Sequence, residues 1–196
     1  MKTLNKSSKN KKPTLILLYG AIGVGKLTVA RELHKQTGFL LSHNHLIINF
    51  IDPLFPRGET TIFRSELFQK TFYLLLKFVA QSGKDIIITH AHAATFTHKN
   101  GVSDPAFIKK LCTTFEKAGG IAYPVHLVCD SEVNLERATD KSRKVHGKLI
   151  DKKLLKEIIA KHDNFTSAKV KNNFKIDTTK LTAKQTVKLI KEHFNI

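Results

Sequence analysis

The chain is poor in acid, in cysteine and in long apolar runs, and each shortage excludes something. Only 16 of its 196 residues are Asp or Glu against 33 Lys or Arg, a formal charge of +17 with a pI near 9.9. An excess of that size points to a polyanionic partner: nucleic acid, an acidic membrane surface, or the phosphates of a small ligand. Two cysteines, Cys112 and Cys129, are too few for a disulfide framework and lack metal-like spacing. They favour a reducing, cytoplasmic setting in which both thiols are buried and inert. No stretch approaches the roughly 18 apolar residues that a membrane span needs. The apolar run Thr14 to Val24 follows a basic stretch, as in a secretory leader, yet glycines interrupt it and Lys26 closes it, so no targeting segment is expected. Nothing resembles a helix-turn-helix, an RNA-recognition motif or a zinc finger, and no internal repeat is visible. What is present, 41% hydrophobic and 25% charged residues, describes an ordinary globular protein of about one domain.

Residues 1–13 carry five lysines and no acid and are expected to form a disordered basic tail, leaving 14–196 as one domain. From Thr14 the pattern is TLILLYG, a continuous apolar run ended by glycine, as in a strand buried on both faces. A glycine-rich turn and a helix stopped by Gly38 follow. Residues 39–60 hold a short apolar piece, the run Ser42-His43-Asn44-His45, and a loop marked by Pro53, Pro56 and Gly58. Over 61–81 the residues Phe68, Phe72, Leu75, Leu76 and Val79 recur at helical spacing, an aromatic stripe that reads as core packing. The cycle repeats: strand 85–90, helix 104–118, strand 121–130, helix 131–140. A basic irregular stretch, a helix over 151–163, a short strand FKIDTT and a helix opened by a Thr182/Gln185 capping box complete the chain. Such alternation predicts an α/β three-layer sandwich around a mostly parallel sheet with right-handed crossovers.

The strongest local signal is Gly20-Ala21-Ile22-Gly23-Val24-Gly25-Lys26-Leu27-Thr28, between a predicted buried strand and a predicted helix. It fits G-x-x-x-x-G-K. Glycines let successive backbone N–H groups turn inward as an anion nest, the helix N-terminus adds its positive end, and Lys26 neutralises phosphate charge. All nine residues are therefore candidates for nucleotide binding. Position 27 departs from the usual Ser or Thr, and Leu27 cannot ligate a metal.

With Thr28 one place later the order is G-K-x-T, and here the chain resembles the nucleoside-monophosphate-kinase-like branch of P-loop NTPases. That branch includes adenylate, shikimate and gluconate kinases, chloramphenicol phosphotransferase and zeta toxins. The chain is also similar to bacterial proteins labelled AAA-family ATPases or shikimate-kinase-like, which share GxGKLT, HNHL, SRKxxGK and a late IDTT. The likeness runs from about Thr14 to the C-terminus and implies five strands in the order 2-3-1-4-5, with a basic lid inserted at about 137–163. It also implies an ATP-dependent kinase using Mg²⁺, the ion held through the nucleotide phosphates and Thr28 or water, with a small-molecule hydroxyl or phosphate as acceptor.

The same resemblance assigns roles residue by residue. Arg137, Arg143 and Lys144 stand where lid cations stabilise the transferring group; the segment 137–169 has a net charge of +6. Asp177, Thr178 and Thr179 stand where a final loop edges the adenine. Arg57 and Arg64 lie in the segment that covers the acceptor. At the two strand ends where the family places a carboxylate, this sequence has His43-Asn44-His45 and His90-Ala91-His92, with Asp52 and Asp130 as the nearest acids. A histidine titrating near pH 6.5 can act as general base, so His43 or His45 is a candidate; alternatively the four histidines hold a metal or bind an anionic acceptor. Two other functions stay open: a nucleic-acid-associated P-loop protein, such as a polynucleotide kinase, and a nucleotide binder without catalysis.

Overall fold

The computed structural model describes residues 11–55, 62–139 and 151–196. Arg57, Arg143 and Lys144 lie outside the described residues. Five parallel strands form one sheet: β1 (Thr14–Gly20), β2 (Leu40–His43), β3 (Ile86–Ala91), β4 (Ile121–Val128) and β5 (Phe174–Asp177), in the order β2-β3-β1-β4-β5. The apolar run of β1 has its cause here, because the strand is central and all seven of its residues are buried.

Alternation along the strands divides two cores. Leu15, Leu17, Ile86, Ile88 and Ala122 face one side, where they meet α3 (Ile62–Gln81) through Phe72 and Leu76, and α4 (Asp104–Lys117) through Phe107, Leu111 and Phe115. Ile16, Leu18, Ile87, Val125 and Leu127 face the other, against Val29 and Leu33 of α1 (Lys26–Thr37) and Val187 and Ile190 of α7 (Ala183–Phe194). The stripe on α3 is core as expected: Phe72 and Leu76 are fully buried, with Phe68, Leu75 and Val79 packed beside them.

Residues 44–51, to which the sequence pattern assigns no element ahead of the loop marked by Pro53, Pro56 and Gly58, are a helix, α2 (Asn44–Ile51). Ile47 and Ile51 fall one turn apart and are buried, while Pro53 stands two residues past the end. The strands over 121–130 and 174–179 stop two residues early, at Val128 and Asp177: the Thr178 N–H closes the ladder on the Val128 carbonyl at 2.8 Å, and the Thr179 N–H then turns back to Asp177 Oδ1 at 2.8 Å. The expected lid segment is described at its two ends, α5 (Ser131–Thr139) and α6 (Lys152–Lys161), which pack on one another. Among the described residues no helix is long and apolar enough to cross a membrane.

Because all five strands run parallel, Gly20, His43, Ala91, Val128 and Asp177 end at one edge of the sheet, where ligands of open α/β folds bind. α7 lies beside α1 on the second face of the sheet, and its capping box is formed as the sequence predicts. Thr182 Oγ1 accepts from the Gln185 N–H at 3.3 Å, and Gln185 Oε1 accepts from the Thr182 N–H at 2.9 Å. Thr182→Ala is expected to cost about 1 kcal/mol, read as a lower urea midpoint at unchanged slope.

Candidate nucleotide-binding site

The turn between β1 and α1 is shaped by contacts that exclude side chains. Gly20 sits at φ +146° with the Leu127 carbonyl oxygen 2.1 Å from where a Cβ would stand. At Gly23, φ +93°, a Cβ would lie 2.6 Å from Ala138 Cβ and 2.9 Å from the Asn134 carbonyl. Gly25, at φ +96°, has open space around it and is the residue from which α1 begins. Only the first two glycines are demanded by crowding; the third is demanded by its left-handed backbone. Asn134 of α5 donates through Nδ2 to the Ile22 carbonyl at 2.8 Å, and Lys26 Nζ donates to the carbonyls of Gly20 and Ala21 at 2.9 and 2.7 Å. The loop is thus clasped from outside by α5 and spanned from inside by Lys26.

A cavity of about 420 Å³ opens over this loop. Its lining includes Ile22 through Thr28 of the motif, with Gly20 and Ala21 behind them, and it brings in His43, His45, Arg137 and Thr178 from distant parts of the chain. Asn44 and Thr89 lie between the two strand ends; the Asn44 N–H donates to Thr89 Oγ1 at 3.4 Å. The rings of His43 and His45 are 6.3 Å apart at this mouth. Arg137 lies on α5 and hydrogen-bonds the Thr178 carbonyl at 3.0 Å, the Thr178 hydroxyl at 3.3 Å and the Thr179 carbonyl at 3.3 Å. It therefore braces the turn after β5 at the cavity wall. Asp177 and Thr179 are outside the lining. Asp177 Oδ1 accepts from the Thr179 hydroxyl at 2.6 Å and its N–H at 2.8 Å, and these bonds hold its carboxyl below the usual range.

Three expectations change. Arg64 does not reach the cavity: it pairs with Asp52 and donates through Nε to the Phe55 carbonyl at 3.0 Å, bracing α2 against α3. His90 and His92 are also absent from the lining. Thr89 and Ala91 face the cavity, so pleat alternation sends His90 to the opposite face of the sheet, against Phe107. The four histidines therefore form two separate pairs. Finally, a carboxylate does stand at the end of β3, contributed by α4. Asp104 Oδ1 accepts from His90 Nε2 at 2.6 Å, and Oδ2 meets His92 Nδ1 and the Ala93 N–H, the latter at 3.2 Å.

Asp104 is 1% exposed. Burial opposes its ionisation, but the charge of His90, hydrogen bonds from His90 and His92 and the nearby His98 imidazole prevail, and its carboxyl titrates well below the ordinary range. In the sequence Asp104 stands at the start of the helix expected over 104–118, a place where an acid needs no further role. Ser103 is indeed the cap, and an acid in the first turn suits the helix dipole. Beside this cluster His126 stacks on Tyr19 at 4.6 Å and shares a 2.9 Å hydrogen bond with Ser167; burial, with His92 and Lys175 adding to it, brings its pKa down to about 3.

No protein-family model matches the sequence, and neither does any curated protein. Solved structures do match in shape. A sugar kinase from a Janibacter species superposes with a TM-score of 0.66 at 15% identity, over 94% of this chain and 95% of that one. A gluconokinase from Sinorhizobium meliloti gives 0.60 at 13%, covering 95% and 94%, and a shikimate kinase from Aquifex aeolicus 0.53 at 15%, covering 92% and 96%. The chain has the fold of P-loop kinases of the nucleoside-monophosphate-kinase-like type.

The neutral, buried His126 has a signed consequence. Its folded pKa lies below the unfolded value of 6.5, so between pH 6.5 and about 3 the unfolded chain binds the extra proton and stability falls on acidification. The slope from this group reaches about 1.4 kcal/mol per pH unit. His126→Gln is expected to flatten the pH dependence of the urea midpoint over that window.

Proposed function

We propose that the protein is an ATP-dependent phosphotransferase that moves the γ-phosphoryl group to a hydroxyl or phosphate of a small molecule. The observation that carries this reading is the phosphate loop opening onto the same cavity as His43, His45 and Arg137. Backbone N–H groups of Gly23 to Lys26 cradle the β- and γ-phosphates at the N-terminus of α1, and Lys26 turns its ammonium from the loop carbonyls to the incoming oxygens. The turn at Thr178, fixed by Arg137, edges the base. His43 or His45 takes the proton of the acceptor hydroxyl as its oxygen bonds to the γ-phosphorus and the bond to the leaving ADP oxygen breaks. Arg143 and Lys144 supply lid charge, and Arg57 takes an anionic group of the acceptor.

The residues present fit the triphosphate better than they fit an ion. No carboxylate lines the cavity among the described residues, Leu27 replaces the usual hydroxyl, and Thr28 is the loop side chain with an oxygen to offer. Magnesium entering with the nucleotide would offset charge on the bridging phosphates. The same facts favour a second reading, a nucleotide binder without catalysis.

Phosphate transfer from ATP measured over a panel of metabolites separates the two. Lys26→Ala is expected to lower transfer by at least about 100-fold. Replacing whichever of His43 and His45 is the base with Ala lowers kcat by about 10² to 10⁴ and removes the acidic limb of the pH profile, with nucleotide affinity retained. Tight ATP binding with transfer to no acceptor supports the second reading, and unchanged turnover and pH profile in both histidine variants refute the assigned base.

A further inference from the structure

On the face of the sheet away from the cavity, four polar side chains converge on one point with nothing in the proposed chemistry to use them. His90 comes from the end of β3, His92 follows it, His98 lies in the connection to α4, and Asp104 opens α4. Three imidazoles face a single carboxylate. Two of them bond the carboxylate, His90 Nε2 at Oδ1 and His92 Nδ1 at Oδ2, and the Ala93 N–H also donates to Oδ2; the second ring nitrogen of His90, Nδ1, is buried without a hydrogen-bond partner. His98 is the surplus one. Its Nε2 lies 3.4 Å from Asp104 Oδ1, is buried, and makes no hydrogen bond. A buried nitrogen left without a partner is unfavourable, and a ligand at this point would relieve it.

We propose that His90, His98 and Asp104 form a binding site for a divalent transition metal of the zinc class. One donor atom from each lies within 4.8 Å of the others. Tetrahedral zinc with bonds near 2.0–2.1 Å keeps its donors about 3.3 Å apart. The observed separations from Oδ1, 2.6 Å to His90 Nε2 and 3.4 Å to His98 Nε2, lie on either side of that value. Imidazole with one carboxylate suits zinc, whereas magnesium and calcium require mostly oxygen donors. The outer partners are also in place. Oδ2 is held by His92 and the Ala93 N–H, so Oδ1 is the oxygen turned toward the two imidazoles, the arrangement that orients a ligating carboxylate. The His98 side chain is 11% exposed, against 6% for His90 and 1% for Asp104, and gives the ion its way in. Bound there, the metal ties the connection 92–103 to the sheet and to α4. The site is independent of the nucleotide cavity and does not rest on the proposed transferase activity.

The test uses the full-length, tag-free chain stripped of metal, with Zn²⁺ or Co²⁺ alone as probe. We expect one ion per chain by chelator competition, visible Co²⁺ absorption of a four-coordinate site, and a rise in melting temperature on adding Zn²⁺. His98→Ala loses no hydrogen bond and is expected to fold, to bind Zn²⁺ about a hundredfold or more weakly and to lose the thermal shift, while His98→Cys, which keeps a ligating atom, restores both. Unchanged affinity in His98→Ala overturns the site, as does loss of binding in His43→Ala instead. Should His98→Ala not fold, zinc X-ray absorption of the wild-type complex decides: two imidazoles with oxygen support the assignment, and a shell without imidazole overturns it.

Discussion

The carbonyl of Leu127 lies where a side chain on Gly20 would begin, and Ala138 lies where one on Gly23 would begin. These two contacts set how closely the phosphate loop approaches the sheet on one side and α5 on the other. A Cβ at either position would push the loop outward and carry with it the Lys26 ammonium and the first amides of α1. In the proposed reading, this closeness is what would let successive loop amides face an anion. The hydrogen bond from Asn134 to the Ile22 carbonyl and the bracing of the Thr178 turn by Arg137 come from the same helix, so α5 fixes both the phosphate end and the far wall of the cavity.

Pleat alternation at the end of β3 divides the remaining chemistry in two. Thr89 and Ala91 belong to the cavity; His90, one residue along, joins Asp104 beneath α4. The two sides differ in kind. The cavity side is open and carries Lys26 and Arg137 in its lining, with His43 and His45 at its mouth. The opposite side is a closed polar cluster set in an aromatic core, where His90 and His98 both pack on Phe107. A polar cluster buried in such surroundings is costly unless nearly complete in its own hydrogen bonds, which is why the unpartnered ring nitrogens of His90 and His98 carry information that exposed ones would not. The charge of +17 narrows accordingly: five units fall in residues 1–13 and six in 137–169, leaving six for the rest of the chain.

Much of the fold was legible because its signals are local. Strand β1 announces itself by its continuous apolar run, the loop by its glycines and lysine, α4 by the glycines that stop it and α7 by its capping box. Helix α2 was not, since its His-Asn-His opening and nearby prolines resemble a loop, and only Ile47 and Ile51, buried by contact with the sheet and α3, argue otherwise. At the site, the phosphate loop, His43, His45, Arg137 and Thr178 were named from sequence and meet at one cavity. Arg64 was named and is engaged by Asp52 instead, a pairing twelve residues apart that no spacing rule anticipates.

The sequence by itself determined the alternation of buried strands with amphipathic helices and the phosphate loop between the first pair, because those depend on residues adjacent along the chain. Only the tertiary structure decided which histidines share a site and which acid completes them. His90 and His98 reach Asp104 across 14 and 6 residues of chain, and the direction in which each side chain points was set by the pleat of β3 and by where α4 returns to the sheet. Those choices are long-range packing outcomes, and a linear pattern of His and Asp carries no record of them.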